Sequence, residues 1–445
     1  MATIANTRAL LTELLKIVYE PSINSAVRDS TFFLKAFTAK KYDGKGKQYT
    51  FAAHLQFNQM VAARSADDYL ESAQQEKVAN GTITPKYLHI PFEISHDLMV
   101  ASKGDEHAFA DGMSLVQETS RRTFRRDMNR MAVGDGRGIL ATVTANLGSA
   151  DGPLTVTVDT TKFLQDGMIV EVWNGAATTN VTRRNNYAGN EYIKILTVLS
   201  STTASIDTWN SSTGVVGGTN VPALTSADVL IRKGTAYVNT TRFSNEPDGL
   251  RLMADDGTLD PSGGYLGISA STFSNWKGIV RDAGGVSVSP GLVSAVGMLY
   301  RRWSNTMFDT IWCHGNQGNG LIYGDEGSYK DKRFVDAEVN RLGTDEEDII
   351  VNVRGKKVRI RQDDDLSETE LNFFDSKVIR YVELYGIELL EQADGQYLTP
   401  WRDSTGQRYA QVGFWGWAGN WGCVMRNAIA RIYNVGAPAS IPSTW

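Results

Sequence analysis

Residues 105–133, "DEHAFADGMSLVQETSRRTFRRDMNRMAV", constrain the fold more than any other stretch of the chain. At about 100° per residue, Phe109, Met113, Val116, Phe124 and Met131 fall within one sector roughly 60° wide. That spacing predicts one long amphipathic helix. Five arginines, Arg121, Arg122, Arg125, Arg126 and Arg130, project onto the side opposite the apolar sector. They sit in the C-terminal half, where cations complement the helix dipole. Glu118 lies one turn before Arg122, which suits an i,i+4 pair. "GDGRG" (134–138) follows, with glycines suited to a C-terminal cap. It lacks the G-x-G-x-x-G pattern of a dinucleotide loop and follows a helix rather than a strand. A DNA-reading helix offers a narrow set of residues near its N-terminus. The arginine face reads better as salt bridges, within the chain or between subunits, or as a solvated face.

The rest of the chain bounds the classes open to it. With 445 residues there is room for two to four domains. A net charge of -5 excludes a general nucleic-acid binder. The two cysteines, Cys313 and Cys423, are no disulfide framework and no zinc motif, and they suit a reducing compartment. The first residues have no signal-peptide order, and no apolar run approaches a membrane span.

Several shorter elements are legible. "TRALLTELLKIVY" (7–19) has a helical apolar face, closed off by Pro21. It is read either as docked on its own core or as an arm reaching a neighbouring subunit. Residues 47–57 alternate, with Tyr49, Phe51, Leu55 and Phe57 on one side. Residues 86–94 alternate too, with Leu88, Ile90, Phe92 and Ile94 on the apolar side. Together they predict a long hairpin, about 30 Å per strand. Pro85 and Pro91 make its second strand an edge. A lone ribbon is marginally stable in water, so its apolar face must lie on something, and on another subunit if the ribbon projects.

From about 150 to 236 the chain is rich in Thr, Val, Gly and Asn, with short alternating runs at 154–159, 168–173, 192–199 and 229–234. This predicts an all-β module. Beyond it, Ser289 caps a helix over 289–303, with Leu292, Val296, Leu299 and Trp303 on one face. Strands are expected at 309–314, 349–353 and 357–362, and a final return strand within 421–435.

No constellation for catalysis, metal or cofactor binding emerges. His54, His89, His96, His107 and His314 have no ligand spacing. Cys313 and His314 are adjacent on a predicted strand and point to opposite faces, which excludes a nucleophile–base pair. "QDDDLSE" (362–368) and "GTDEEDI" (343–349) read as solvated acidic loops, or as partners for basic groups on a neighbour, rather than as Ca²⁺ or Mg²⁺ sites.

In order, these parts are an arm, a two-stranded loop, a long helix with a glycine exit, a mixed region and a return strand. That order resembles the major capsid proteins of tailed bacteriophages, with the α+β Hong Kong 97-type fold. "ISHDLMVASKGDEHAFADGMSLVQETSRRTFRRDMNRMAVGDGRGIL" looks like the family's spine helix and exit, "GLRLMADDGTLDPSGGYLGISASTFSNWKGIV" (249–280) like its entry into the axial domain, and "ELLEQADGQYLTPW" and "NAIARIYNV" like its closing segments. The resemblance implies an N-terminal arm (1–43), an extended loop (44–96), a peripheral domain with the spine helix (97–149), an inserted all-β domain (150–236), an axial domain (237–404) and a peripheral return strand with the C-terminus (405–445). It implies a structural, non-enzymatic virion protein without cofactors. Such a protein forms hexamers and pentamers of an icosahedral head, assembled in the host cytoplasm, around double-stranded DNA bound without sequence specificity. The implied partners are further copies of the chain, a portal, a decoration protein and a separate scaffolding protein or none, with no membrane. Arg121, Arg122, Arg125, Arg126, Arg130, Leu88, Ile90 and Phe92 are the expected inter-subunit contacts. Lys77 and Lys86 lie in the loop where some members carry a cross-linking lysine, but that chemistry is not carried over. An encapsulin shell and a β-rich surface or carbohydrate-binding protein are the alternatives.

Overall fold

A computed structural model describes residues 40–41, 48–58, 75–95, 106–175, 183–184, 191–211, 214–217, 220–234, 245–261, 263–304, 306–323, 349–391, 395–403 and 406–437. The expected helix at 7–19, His96 and the acidic run 343–348 lie outside them, as do the side chains of His107, Phe109, Met113 and Val116.

The long helix runs Glu106–Val133. It ends where Gly134 donates its N–H to the Arg130 and Met131 carbonyls, at 3.0 and 3.2 Å. Gly136 and Gly138 then take positive φ, 72° and 77°, which glycine adopts without a side-chain penalty. The turn is a helix exit, as its composition implies.

The predicted hairpin exists, but with another second strand. Tyr49–Gln56 pairs antiparallel with Lys77–Ile83, in the register Tyr49↔Ile83 and Ala52↔Asn80. "KVANGTI" reads as polar turn sequence, yet Gly81 is where the Phe51 ring lies across the ribbon. A Cβ there would come 2.5 Å from Phe51 Cζ. The inner face does not wait for another subunit at this end. Phe51 lies 6.3 Å from Trp276, centroid to centroid, and the Asn275 side chain donates to the Leu55 carbonyl at 3.0 Å.

Lys86–Ser95 joins a different sheet. It pairs antiparallel with the long strand Gly406–Cys423, from Lys86↔Gly419 to Ser95↔Ala410. Among the described strands this is its single partner, so it is an edge, as its prolines require. Ile379–Leu389 and Thr399–Asp403 also pair with the long strand, and Lys40–Lys41 runs parallel beside Val382–Glu383. Trp417 and Trp421 stack at 5.3 Å and sandwich with Tyr381, forming the aromatic floor of this sheet.

Two six-stranded sheets and the short pair 150–151 with 220–221 make up the other described strands. One is wholly antiparallel, in the order 139–142, 229–232, 169–173, 191–198, 203–210, 154–157. Its core, with Leu140, Val156, Val170, Val172, Ile193 and Ile206, is separate from the main one. The sheet begins at Ile139, directly after the glycine exit and ahead of residue 150. The other is mixed, in the order 279–282, 429–433, 371–374, 310–313, 356–362, 349–353. The expected return strand over 421–435 is therefore split. Cys423 ends the long strand, a short 3-10 turn covers Arg426–Ala428, and Ile429–Tyr433 enters the mixed sheet.

The helix Pro290–Ser304 packs on that mixed sheet, with Ser289 Oγ accepting from the Leu292 N–H at 3.2 Å. Its buried face is Val293, Val296, Gly297, Tyr300 and Ser304; of the predicted Leu292, Val296, Leu299 and Trp303, Val296 alone is buried. Tyr300 Oη donates to the Ala428 carbonyl, and its ring meets Phe308 edge-on, so the tyrosine sets which side faces inward.

Candidate functional site

The C-terminal half of the long helix is where the arginines were expected to turn away from the core. They do not share one environment. Arg121 is exposed, and Arg122 pairs with Glu118 at 2.5 Å on the surface. Arg125 is half-buried, and Arg126 donates to Gln165 Oε1 of the antiparallel sheet domain at 2.6 Å. Arg130 is buried, with Nη2 2.5 Å from Glu246 Oε1 and Nη1 3.4 Å from Oε2. Burial works against the Arg130 charge. Glu246, with Asp127 and Asp365, more than offsets it and holds the guanidinium pKa above its ordinary value. The projection fails at Arg130 because Met128 through Val133 are all buried. A helix end enclosed on every side has no polar face.

The neighbours enclosing it come from across the chain. Asp127 pairs with Arg232 of the antiparallel sheet at 2.6 Å. Asn129 donates its side-chain amide to Asp363 Oδ2 at 3.1 Å and Asp365 Oδ2 at 2.8 Å. Lys162 Nζ donates to the Leu366 carbonyl of the same acidic loop at 2.7 Å. Gly249 presses on the helix end so closely that a Cβ would lie 2.2 Å from the Gly134 carbonyl oxygen. The Arg251 N–H donates to that oxygen at 3.1 Å. One helix terminus thus fastens the antiparallel sheet domain, the acidic loop and the 246–253 segment together.

The acidic loop is not solvated as expected. Asp363 and Asp365 are buried, and Asp364 alone of the three aspartates is exposed. The loop turns inward because Asn129 and the Asp365 N–H, 2.9 Å from Asp363 Oδ1, satisfy the carboxylates there. Burial, then the Asp365 charge, pushes the Asp363 carboxyl up to about 6. A raised folded-state pKa means the native protein holds more protons than the unfolded chain between about pH 4 and 6. Stability from this group is thus full at low pH and is lost as pH rises through about 6. Asp363→Asn, which removes the charge and keeps an acceptor, is expected to stabilise the protein at pH 8 by up to roughly 3 kcal/mol. The gain should shrink toward zero near pH 4. Urea unfolding at the two pH values checks this, and a gain independent of pH refutes it.

Of the expected loop contacts, Leu88 and Ile90 are half-buried against the main core, and Phe92 is buried with Ile94 beside Leu389, Leu398 and Trp415. His54 faces outward with Nε2 3.4 Å from Glu76, and His89 is exposed. Cys313 and Cys423 are buried, and burial pushes each thiol up to about 12, which makes poor nucleophiles of both. His314 Nδ1 accepts from the Asn316 N–H at 3.3 Å, away from the thiol. Among the described residues no group of three or more His, Cys, Asp or Glu could hold a metal ion, and no helix is long and apolar enough to cross a membrane. A cleft of about 620 Å³ between strand 86–95 and the long helix is lined by Asp127, Arg232 and Glu246, all engaged in the pairs above. Glu246 and Asn129 escaped sequence reading. Glu246 sits in "SNEPDG", which has no periodicity, 116 residues from its partner.

No protein-family model and no curated protein matches the sequence. Solved structures do. A chain from the cyanophage A-1(L) capsid asymmetric unit superposes with a TM-score of 0.54 at 13% identity, over 95% of this chain and 98% of that one. Chains of the native GTA particle capsid and of the cyanophage Pam1 capsid both give 0.45, at 10% and 9% identity, over 96% of this chain and 96% and 97% of theirs. Over nearly its whole length the chain therefore has the α+β fold of tailed-phage capsid proteins, the Hong Kong 97-type fold.

Proposed function

We propose that this chain is the major capsid protein of a tailed phage, assembling into hexamers and pentamers of an icosahedral head around double-stranded DNA. The supporting observation is the fold likeness to the A-1(L) capsid chain, which leaves almost no part of either chain unmatched. In this reading the 44–96 region is the extended loop, helix 106–133 the spine, 237–404 the axial domain and 405–445 the peripheral return. The antiparallel sheet domain is an insertion carried on the capsid surface. The arginines that stay outward, Arg121 and Arg122 foremost, meet acidic groups of a neighbouring subunit, whereas Arg130 serves its own chain. The function is then one of surface complementarity rather than catalysis. A net charge of -5 suits a container that must not grip DNA over its whole inner wall. Portal, scaffolding and decoration proteins are the partners such a shell calls for.

Negative-stain electron microscopy of the full-length protein tests the proposal. Closed shells or ring-shaped capsomers are expected. A protein that stays monomeric at high concentration and across salt conditions refutes it.

A further inference from the structure

The helix Pro290–Ser304 carries a second apolar face. Tyr300 and its neighbours are buried, yet Met298 is 53% and Trp303 48% exposed, with Leu292 and Leu299 half-buried beside them. Arg301 and Arg302 are exposed in the last turn. Arg302 has neither hydrogen bond nor ion pair among the described residues. Tryptophan and arginine side by side on an open surface are the residue types that dominate interface energetics.

A matching patch lies on the same mixed sheet. Asp282 and Tyr433 are Cα partners on adjacent strands, and the turn just beyond them presents Val286. Val286 is 57% and Tyr433 38% exposed, and Asp282 is exposed too. Asp282 Oδ1 accepts from the Gly284 N–H at 2.7 Å and from the Asn434 side chain at 2.9 Å, which fixes the carboxylate. One patch is apolar and cationic, the other apolar and anionic.

Their placement matters as much as their chemistry. Asn427 donates to the Trp303 carbonyl at 3.0 Å, just before strand Ile429–Tyr433 begins, while Tyr433 ends that strand. The patches are thus at opposite ends of one strand, whose first and last residues are about 13 Å apart at roughly 3.3 Å per residue. Two different, complementary patches on one subunit make a head-to-tail contact, which closes into a ring when repeated by rotation.

We infer that the Met298–Arg302–Trp303 face docks on the Asp282–Val286–Tyr433 patch of a second copy of this chain, with Arg302 meeting Asp282. The inference rests on the shell reading and names a surface for it. Arg302→Glu would set two anions face to face where water is excluded. Full-length Arg302→Glu, Asp282→Arg and the double variant are compared with wild type by sedimentation velocity and negative-stain microscopy, with circular dichroism of the monomer as the folding control. Each single variant is expected to lose at least tenfold in assembled fraction, and the double variant to recover most of it. Trp303→Ser, which keeps every charge, should fall as far as the single charge reversals. Wild-type assemblies together with normal assemblies from Arg302→Glu overturn the inference alone. So do two single losses without recovery in the double variant. A wild-type protein that never assembles overturns the shell reading and this surface together.

Discussion

Arg426→Ala is expected to destabilise the protein by about 3–5 kcal/mol, the range for breaking a buried ion pair by removing one partner. The Arg426 side chain is wholly buried, and its guanidinium forks onto Asp260 at 2.9 and 2.6 Å. It also donates to the Met253 and Leu252 carbonyls, at 3.3 and 3.1 Å, and stacks 4.8 Å from the centre of the Tyr265 ring. Removing it leaves Asp260 without its cation and the Met253 carbonyl without its side-chain donor, while the Leu252 carbonyl keeps only the Asp255 N–H at 3.3 Å. Asp255, held by the Gly257 and Leu259 N–H groups at 2.8 and 2.7 Å, loses a cation 4.0 Å away. Arg426→Lys should recover little, because an ammonium cannot reproduce the two-pronged contact. Chemical denaturation of the isolated subunit gives the measurement. A loss below 1 kcal/mol for Arg426→Ala would mean the network is not what joins the 426–433 segment to 252–260. The consequence reaches the long helix, since Gly249 and Arg251 on that same segment seat its C-terminal end.

The second large effect concerns Arg130. Arg130→Ala removes the guanidinium that neutralises the buried Glu246 carboxylate, again a loss of about 3–5 kcal/mol. Glu246 has only 3% of its side chain exposed, so water cannot take over the role. The double replacement Arg130→Met with Glu246→Leu should recover more than half of that loss, because two apolar groups of similar size need neither partner nor solvent. Arg130 Nε, buried without a hydrogen bond, adds to the cost that the apolar pair avoids. A double-mutant cycle reads the coupling directly. If the double variant is no more stable than Arg130→Ala, then shape at this junction, and not the charge pair, governs the helix end. Subunits carrying only Arg130→Ala should also release the antiparallel sheet domain more readily. Limited proteolysis near Ile139 would report that.

Local regularities were legible. A helix over 105–133 was predicted and Glu106–Val133 is found. Alternation at 47–57 and 86–94 marked strands now seen at Tyr49–Gln56 and Lys86–Ser95. The short β runs after residue 150 and the capped helix at 290 were equally plain, and the order of these parts carried the resemblance to capsid chains. Pairing was not legible. Lys86–Ser95 takes its partner more than 300 residues away, while its sequence neighbour, the polar "KVANGTI", closes the hairpin instead. Nor was the inward face of helix 290–304, where Trp303 looked like core and Tyr300 is.

The sequence by itself determined where helices and strands form, because their periods of 3.6 and 2 residues depend only on neighbours along the chain. It also determined that the helix after Glu118 would be dense in arginine and would stop at glycine. The tertiary structure alone decided which of those charges are surface and which are core. Arg130 could be buried because Glu246 arrives beside it, and Asp363 and Asp365 because Asn129 does. A charge enters a protein interior only with a partner. When that partner is 116 or 234 residues distant, no local pattern can announce it.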